Sequence, residues 1–273
     1  MQVSPFRRPE ALVIPVPLRI LSVIALLSLA ACAPNPATVA PPATLPGYEA
    51  VQDGEILVPE VGMAYLQGSA PRADVDYAGN EAPGTIVVDT HSRRLYHVQE
   101  GGRATRYAIA VGRAGLAFRG SATVGRKAEW PGWTPTANMI RTFPDMYSDY
   151  AGGLPGGLNN PLGARALYLY RGNRDTYFRI HGTNESSSIG RATSAGCIRL
   201  FNQDAMDLFD NVRPGTKVKV RTLDESLALE GPMMDDENGR AVSYDPLRAE
   251  AIAQAKAQAA ALLAGTDAVP IDG

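Results

Sequence analysis

Residues 84–221 are a succession of short β-branched and aromatic runs cut by glycine-rich turns. This pattern limits the possible fold more than any other feature of the chain. Residues 85–89 read Thr-Ile-Val-Val-Asp, and residues 94–98 alternate as Arg-Leu-Tyr-His-Val. Residues 90–93 between them read as a hairpin turn, and Glu100-Gly101-Gly102 as the next. Further strands are expected at 106–112, 122–124, 127–130, 166–170 and 177–181, with 217–221 as the last. Many short strands joined by tight turns make a mostly β sandwich or barrel. One helix is expected inside this region at 202–212. There Ala205, Met206, Leu208, Phe209 and Val212 follow helical spacing, and Asn202 can cap the first turn.

The chain has 273 residues, room for one such domain and appendages. Residues 1–31 read as an export signal. Arg7, Arg8 and Arg19 give it a positive start, and 20–31 is an apolar run. That run is shorter than the roughly 20 residues a membrane span needs, and Arg19, Pro17 and Pro15 stop it from lengthening. It ends in Leu29-Ala30-Ala31-Cys32, which resembles the bacterial lipobox, the signal in which the cysteine is acylated and becomes the first mature residue. Residues 32–46 then form a tether with five prolines, able to hold a domain on the order of 40 Å from a membrane. Residues 47–83 are weakly patterned: they either wrap the domain as short strands or lengthen the tether. Residues 222–273 turn acidic and then offer an alanine-rich helix at 246–263 with a thin apolar stripe. Residues 131–161 form a long segment rich in Pro and Gly. It also holds Trp133, Met139, Ile140, Phe143, Met146 and Tyr147, so it is read as a lid or substrate wall, against an insertion that only packs on the sheet.

Charge excludes two classes of partner. The formal net charge is -2. Loss of Arg7, Arg8, Arg19 and Glu10 with the signal removes +2 and leaves -4. Neither nucleic-acid binding nor a basic membrane-surface patch follows from that balance.

The chain has two cysteines; the lipobox implies that Cys32 is acylated, against a plain signal cut after Ala31 that leaves it a spare thiol. Cys197 is left with no intramolecular partner, in the run Ser194-Ala195-Gly196-Cys197-Ile198-Arg199-Leu200. A free thiol has a pKa near ~8.5, so it needs a base to become a nucleophile at neutral pH. Of the three histidines, His181 ends an apolar strand and is followed by Gly182, upstream of the cysteine segment. His91 falls in a turn and His97 in a hairpin strand, where both are read as surface residues. One cysteine and scattered histidines lack the spacing of a zinc site, so no metal or cofactor is expected. The amides of Ala195, Gly196 and Cys197 are candidates for an oxyanion hole, where one donor is worth about 3 kcal/mol. Arg199 shares a strand face with Cys197. It either clamps a substrate carboxylate or forms an ion pair, with Asp204 or Asp207 as partner.

His181-Gly182-Thr183 and the segment Ser194 to Leu200 together resemble the active-site signature of the L,D-transpeptidase (YkuD) family. The resemblance runs from Pro83 to Arg221 and takes in the blocks 83–89 and 160–169. It implies a mostly β domain at 84–221, an L,D-transpeptidase-type β-sandwich with a short helix after the active-site cysteine. The C-terminal helix follows outside it. It implies a periplasmic cysteine acyltransferase with Cys197 as nucleophile and His181 as base. The Gly182 carbonyl would orient the ring, and Arg199, Thr183 and Ser194 would meet substrate. In that family the thiolate attacks the bond between diaminopimelate and the terminal D-Ala of a peptidoglycan stem tetrapeptide. A diaminopimelate amine of a second stem then resolves the thioester into a 3→3 crosslink. Carbapenems acylate the same cysteine. Many members carry a histidine two residues before the nucleophile, where this chain has Ala195; the main-chain amide there serves the oxyanion whatever the side chain.

Variants of this reading use an outer-membrane protein amine as acceptor, or water, which makes an L,D-carboxypeptidase. A reading from another class is a non-catalytic peptidoglycan-binding lipoprotein. The anchor favours the outer membrane, because Ala33 follows Cys32 where an aspartate commonly retains lipoproteins in the inner membrane.

Overall fold

The computed structural model describes residues 44–112, 119–193 and 197–266. The expected export signal, Cys32 and nearly all of the tether lie outside the described residues, as do Ser194, Ala195 and Gly196. Among the described residues no helix is long and apolar enough to cross a membrane.

In chain order the strands of the first half are β1 (Val51–Asp53), β2 (Ile56–Val58), β3 (Ala73–Asp76), β4 (Ile86–Asp89), β5 (Arg94–Gln99), β6 (Arg103–Ala108), β7 (Ala110–Gly112) and β8 (Gly120–Glu129). Two short helices follow, α1 (Ala137–Thr142) and α2 (Pro144–Tyr147). Then come β9 (Arg165–Arg171), β10 (Arg174–His181), β11 (Ala192–Thr193), β12 (Ile198–Arg199), α3 (Asn202–Asn211) and β13 (Lys217–Val220). The chain finishes with α4 (Leu223–Glu230), β14 (Met233–Asp235), β15 (Ala241–Ser243) and α5 (Pro246–Thr266).

Eleven strands form one mixed sheet in the order β11-β7-β12-β10-β9-β8-β13-β4-β5-β6-β3. β6 and β7 are nearly one run, yet β6 lies between β5 and β3 while β7 lies between β11 and β12. A strand pair that serves both ends of a sheet forces the sheet to turn back on itself. The two halves then face one core, which is the expected mostly β, sandwich-like arrangement. Ile86, Val88 and Leu95 from one half meet Leu167, Leu169, Ile180 and Ile198 from the other, and Leu208 and Phe209 of α3 close the gap. Alternation along each strand supplies this: Ile180 and Ile198 are 1% and 2% exposed, and their neighbours in sequence point away from the core.

Several expectations need correction. The two strands expected at 122–124 and 127–130 are one strand, β8, with a register shift between Val124 and Arg126. Asn202 does not cap α3. Phe201 stands at the cap position with no side-chain bond, because the Asn202 amide is used elsewhere. Residues 47–83 wrap the domain: Tyr48, Val61 and Leu66 are buried against Ala108, Ala110, Ile189 and Phe201, and β3 adds an edge to the sheet. Residues 222–245 hold a helix with a Thr222/Glu225 capping box and a hairpin, neither of which has an amphipathic period to announce it. Along α5, Ile252 is buried while Leu247 and Leu262 are exposed.

One carboxylate ties three of these elements together. Asp89 is fully buried at the end of β4. Its Oδ1 accepts from the His91 and Ser92 N–H groups at 3.0 and 2.9 Å and from Ser226 Oγ at 2.9 Å. Its Oδ2 accepts from Arg221 at 3.2 Å, and Arg221 also reaches Glu230 at 2.7 Å. The expected last strand thus ends one residue early, with Arg221 turned into this network. Removing one partner of a buried pair leaves the other charge uncompensated. Asp89→Ala is expected to cost about 3–5 kcal/mol, seen as a lower urea midpoint. A loss below about 1 kcal/mol would show that Glu230 alone satisfies Arg221.

Candidate active site

β10 and β12 pair in parallel, with Ile180 opposite Ile198 and His181 opposite Arg199. Because Ile180 and Ile198 take the core, Arg179 and His181 of one strand share the opposite face with Cys197 and Arg199 of the other. The Leu200 N–H donates to the His181 carbonyl at 2.8 Å and locks the register just past the pair. Residues sixteen apart in sequence therefore meet because two short strands align. His181, Cys197 and Arg199 line one cavity of about 450 Å³.

His181 is 3% exposed. Its Nδ1 lies 2.6 Å from the Gly182 carbonyl oxygen. A carbonyl only accepts, so Nδ1 carries the proton and Nε2 is the basic nitrogen. Burial, followed by the nearby Arg199 charge, holds the imidazole down at about 3, while the Gly182 and Leu162 carbonyls pull the other way. Cys197 is partly exposed and free. Burial of its sulfur raises the thiol pKa, against the lowering effect of the Arg179 N–H and of the Arg179 and Arg199 charges. Burial thus favours the neutral thiol and the neutral imidazole.

The turn after His181 is fixed by Asn202, whose Oδ1 accepts from the Ala164 N–H at 3.0 Å and the Thr183 N–H at 3.1 Å. This packing leaves no room at Gly182 or Gly163. A Cβ on either would stand 2.2 Å from Asn202 Oδ1. Glycine next to the base is thus required by the same amide that aims the loop. Thr183 was expected to meet substrate. It is 2% exposed and outside the cavity walls, and its Oγ1 accepts from the Glu185 N–H at 3.0 Å to hold the turn. Arg199 does form an ion pair, but with Glu185 at 3.3 Å on the cavity rim. Asp204 is engaged by Arg72 at 3.1 Å, and Asp207 accepts from the Tyr107 hydroxyl at 2.6 Å. His91 is exposed, and His97 is half-buried on β5, away from the cavity.

Residues 131–161 form a wall of the cavity, with Trp133, Phe143, Met146 and Tyr147 among its lining. Trp133 packs edge-on against Tyr147 at 6.0 Å and lies 6.1 Å from Tyr150. Asn160, 1% exposed, staples the base of the segment. Its amide donates to the Pro131 and Pro155 carbonyls at 3.1 and 2.9 Å, and its Oδ1 accepts from the Leu162 N–H at 2.9 Å.

Asn202, Asn160, Arg179 and Glu185 escaped the sequence reading as site residues. Folding sets their partners: Asn202 accepts from the Ala164 N–H 38 positions away, Asn160 donates to the Pro131 carbonyl 29 positions away, and Glu185 meets Arg199 14 positions on. Asn202→Ala strands two buried N–H groups, so a loss of about 2–6 kcal/mol is expected on thermal or urea unfolding. Asn202→Asp keeps the acceptor and should retain most of that stability. Equal losses in the two variants would show that Oδ1 is not the group that matters.

Comparison with known proteins places this geometry. The L,D-transpeptidase catalytic domain family YkuD matches residues 83–220. The chain is 38% identical over 138 residues to the probable L,D-transpeptidase ErfK/SrfK of Escherichia coli K12, covering 50% of this chain and 43% of that protein. It is 38% identical over 141 residues to the probable L,D-transpeptidase YcfS of the same organism, with the same coverage of each. The chain thus spans less than half the length of these relatives. A solved structure from Brucella melitensis, named as a probable carnitine operon oxidoreductase, is 48% identical. It covers 58% of this chain and 98% of its own, with a TM-score of 0.40. The chain belongs to the YkuD family of L,D-transpeptidase catalytic domains.

Proposed function

We propose that this chain is a peptidoglycan L,D-transpeptidase acting through a Cys197 thioester. The observation that carries the reading is the placement of Cys197 and a Gly182-oriented His181 on one wall of an aromatic-sided cavity. His181 Nε2 takes the thiol proton as Cys197 Sγ attacks the carbonyl carbon between diaminopimelate and the terminal D-Ala of a stem tetrapeptide. The tetrahedral oxyanion collapses, the C–N bond breaks, and D-Ala leaves with the proton from the imidazolium. An amine of a second stem, or of a protein, then attacks the thioester. It gives its proton to His181, and Cys197 departs to be reprotonated. The Arg179 N–H and the positive charges of Arg179 and Arg199 stabilise the transient thiolate. Arg199, released from Glu185, is placed to meet a substrate carboxylate. Water in the acceptor's place gives the carboxypeptidase. The lipobox at Cys32 supports attachment of the enzyme to a membrane facing the wall.

The neutral resting pair has a kinetic consequence. Burial disfavours charge, so His181 stays in its base form far below pH 6.5 and Cys197 stays protonated above its usual range. The reactive form is then present throughout, and kcat/KM for acylation is expected to be flat from about pH 5 to about pH 8. An acid limb centred near ~6.5 would contradict this and indicate an imidazole that titrates at its ordinary value.

The full chain incubated with disaccharide-tetrapeptide, beside Cys197→Ala, tests the function. Crosslinked dimers with loss of D-Ala, absent in the variant, are expected by mass spectrometry. D-Ala loss without dimers would indicate hydrolysis or a protein acceptor. Muropeptides left unchanged would remove the enzyme reading in favour of a peptidoglycan-binding lipoprotein.

A further inference from the structure

We infer that Tyr177 is a substrate-binding residue, an aromatic platform at the Cys197 cavity that takes the face of a sugar ring attached to the donor stem peptide. The inference rests on the peptidoglycan reading above. Tyr177 lines the cavity and is 75% exposed, more than any other described tyrosine. Its backbone sits at φ 63°, the left-handed region that a bulky residue rarely adopts. Such outliers persist only where the surroundings impose them, and they gather at ligand clamps.

Here the surroundings fix the backbone and leave the ring open. The register of β10 against β9 shifts between Asp175 and Arg179. Within that bulge Asp175 Oδ1 accepts from the Tyr177 N–H at 2.8 Å, and the same carboxylate holds Arg179 through two bonds of 2.7 and 2.8 Å. Thr176 Oγ1 donates to the Leu169 carbonyl at 2.7 Å and accepts from the Phe178 N–H at 3.2 Å. The Arg179 guanidinium lies 4.2 Å from the Tyr168 ring centre. The Arg179 N–H faces the Cys197 sulfur. One over-determined bulge therefore aims a hydrogen bond at the nucleophile and sets an exposed phenol ring at a fixed offset from it.

The occupant follows from chemistry. A stem tetrapeptide carries methyl groups, carboxylates and an amine, with nothing flat to cover a ring. A pyranose has an apolar C–H face, which matches the apolar face of an aromatic ring. Donor stems are joined to such sugars.

The test compares the full chain with Tyr177→Gly and Tyr177→Phe on disaccharide-tetrapeptide and on the sugar-free tetrapeptide. Glycine accepts φ 63° without strain. Tyr177→Gly should therefore raise the Tm by about 2 °C. It should also lower kcat/KM on the disaccharide substrate about tenfold, chiefly through KM. On the sugar-free peptide the change should stay within about twofold, and Tyr177→Phe should behave as the parent. A parent enzyme inert toward both substrates would sink the transpeptidase reading and this inference with it. A reactive parent with an undiminished Tyr177→Gly variant, or one with equal losses on both substrates, would sink this inference alone.

Discussion

The parallel pairing of β10 with β12 is the interaction on which the site depends. Two residue pairs, Ile180 with Ile198 and His181 with Arg199, set the register. The isoleucines belong to the main core, so a slip by one residue would drive Arg199 or Cys197 into it and expose an isoleucine. Core burial thus holds His181 and Cys197 on the shared opposite face of the two strands. The rest of the fold supports that register. β7 flanks β12 on its far side, β9 flanks β10, and α3 packs beneath both.

A second layer of polar side chains fixes what the strands cannot. Past the end of β10 the Gly182 N–H still donates to the Arg165 carbonyl at 3.0 Å, and Asn202 then holds the turn by accepting from two backbone amides at once. Asn160 holds the aromatic segment by donating to the Pro131 carbonyl, and Asp53 holds its root by accepting from Trp130 Nε1 at 2.7 Å and from Arg165 at 2.6 and 2.9 Å. The Arg165 bonds are the main reason Asp53 titrates below the ordinary aspartate range. Each of these groups is a short, planar acceptor or donor on a rigid element. Flexible ion pairs such as Arg199 with Glu185 lie at the rim, where a substrate carboxylate can replace a half-exposed partner at little cost.

Electrostatics at the centre follow from the same burial. Burial biases the His181 imidazole and the Cys197 thiol, which line the same cavity, toward their neutral forms. The Gly182 carbonyl, accepting from Nδ1, works against that bias at the imidazole.

The amino-acid sequence alone determined the mostly β class and the family, and it singled out Cys197 and His181 as candidates. Strand alternation, glycine turns, a lone thiol and a strand-ending His-Gly are all local signals, carried by a handful of adjacent residues. That Arg199 shares a strand face with Cys197 was also legible, from the two-residue period of a strand. Tertiary structure decided everything that needs a distant partner. It turned Asn202 from a helix cap into a loop clamp and Thr183 from a substrate contact into a turn lock. It paired Arg199 with Glu185 in place of Asp204 or Asp207, which other elements had already engaged. It also folded residues 47–83 onto the domain, since Tyr48 and Val61 bury only if Phe201 and Ile189 are there to receive them. Local pattern reports what a backbone prefers. A hydrogen bond across 38 positions is set by which surfaces the whole chain brings together, and sequence spacing carries no trace of that.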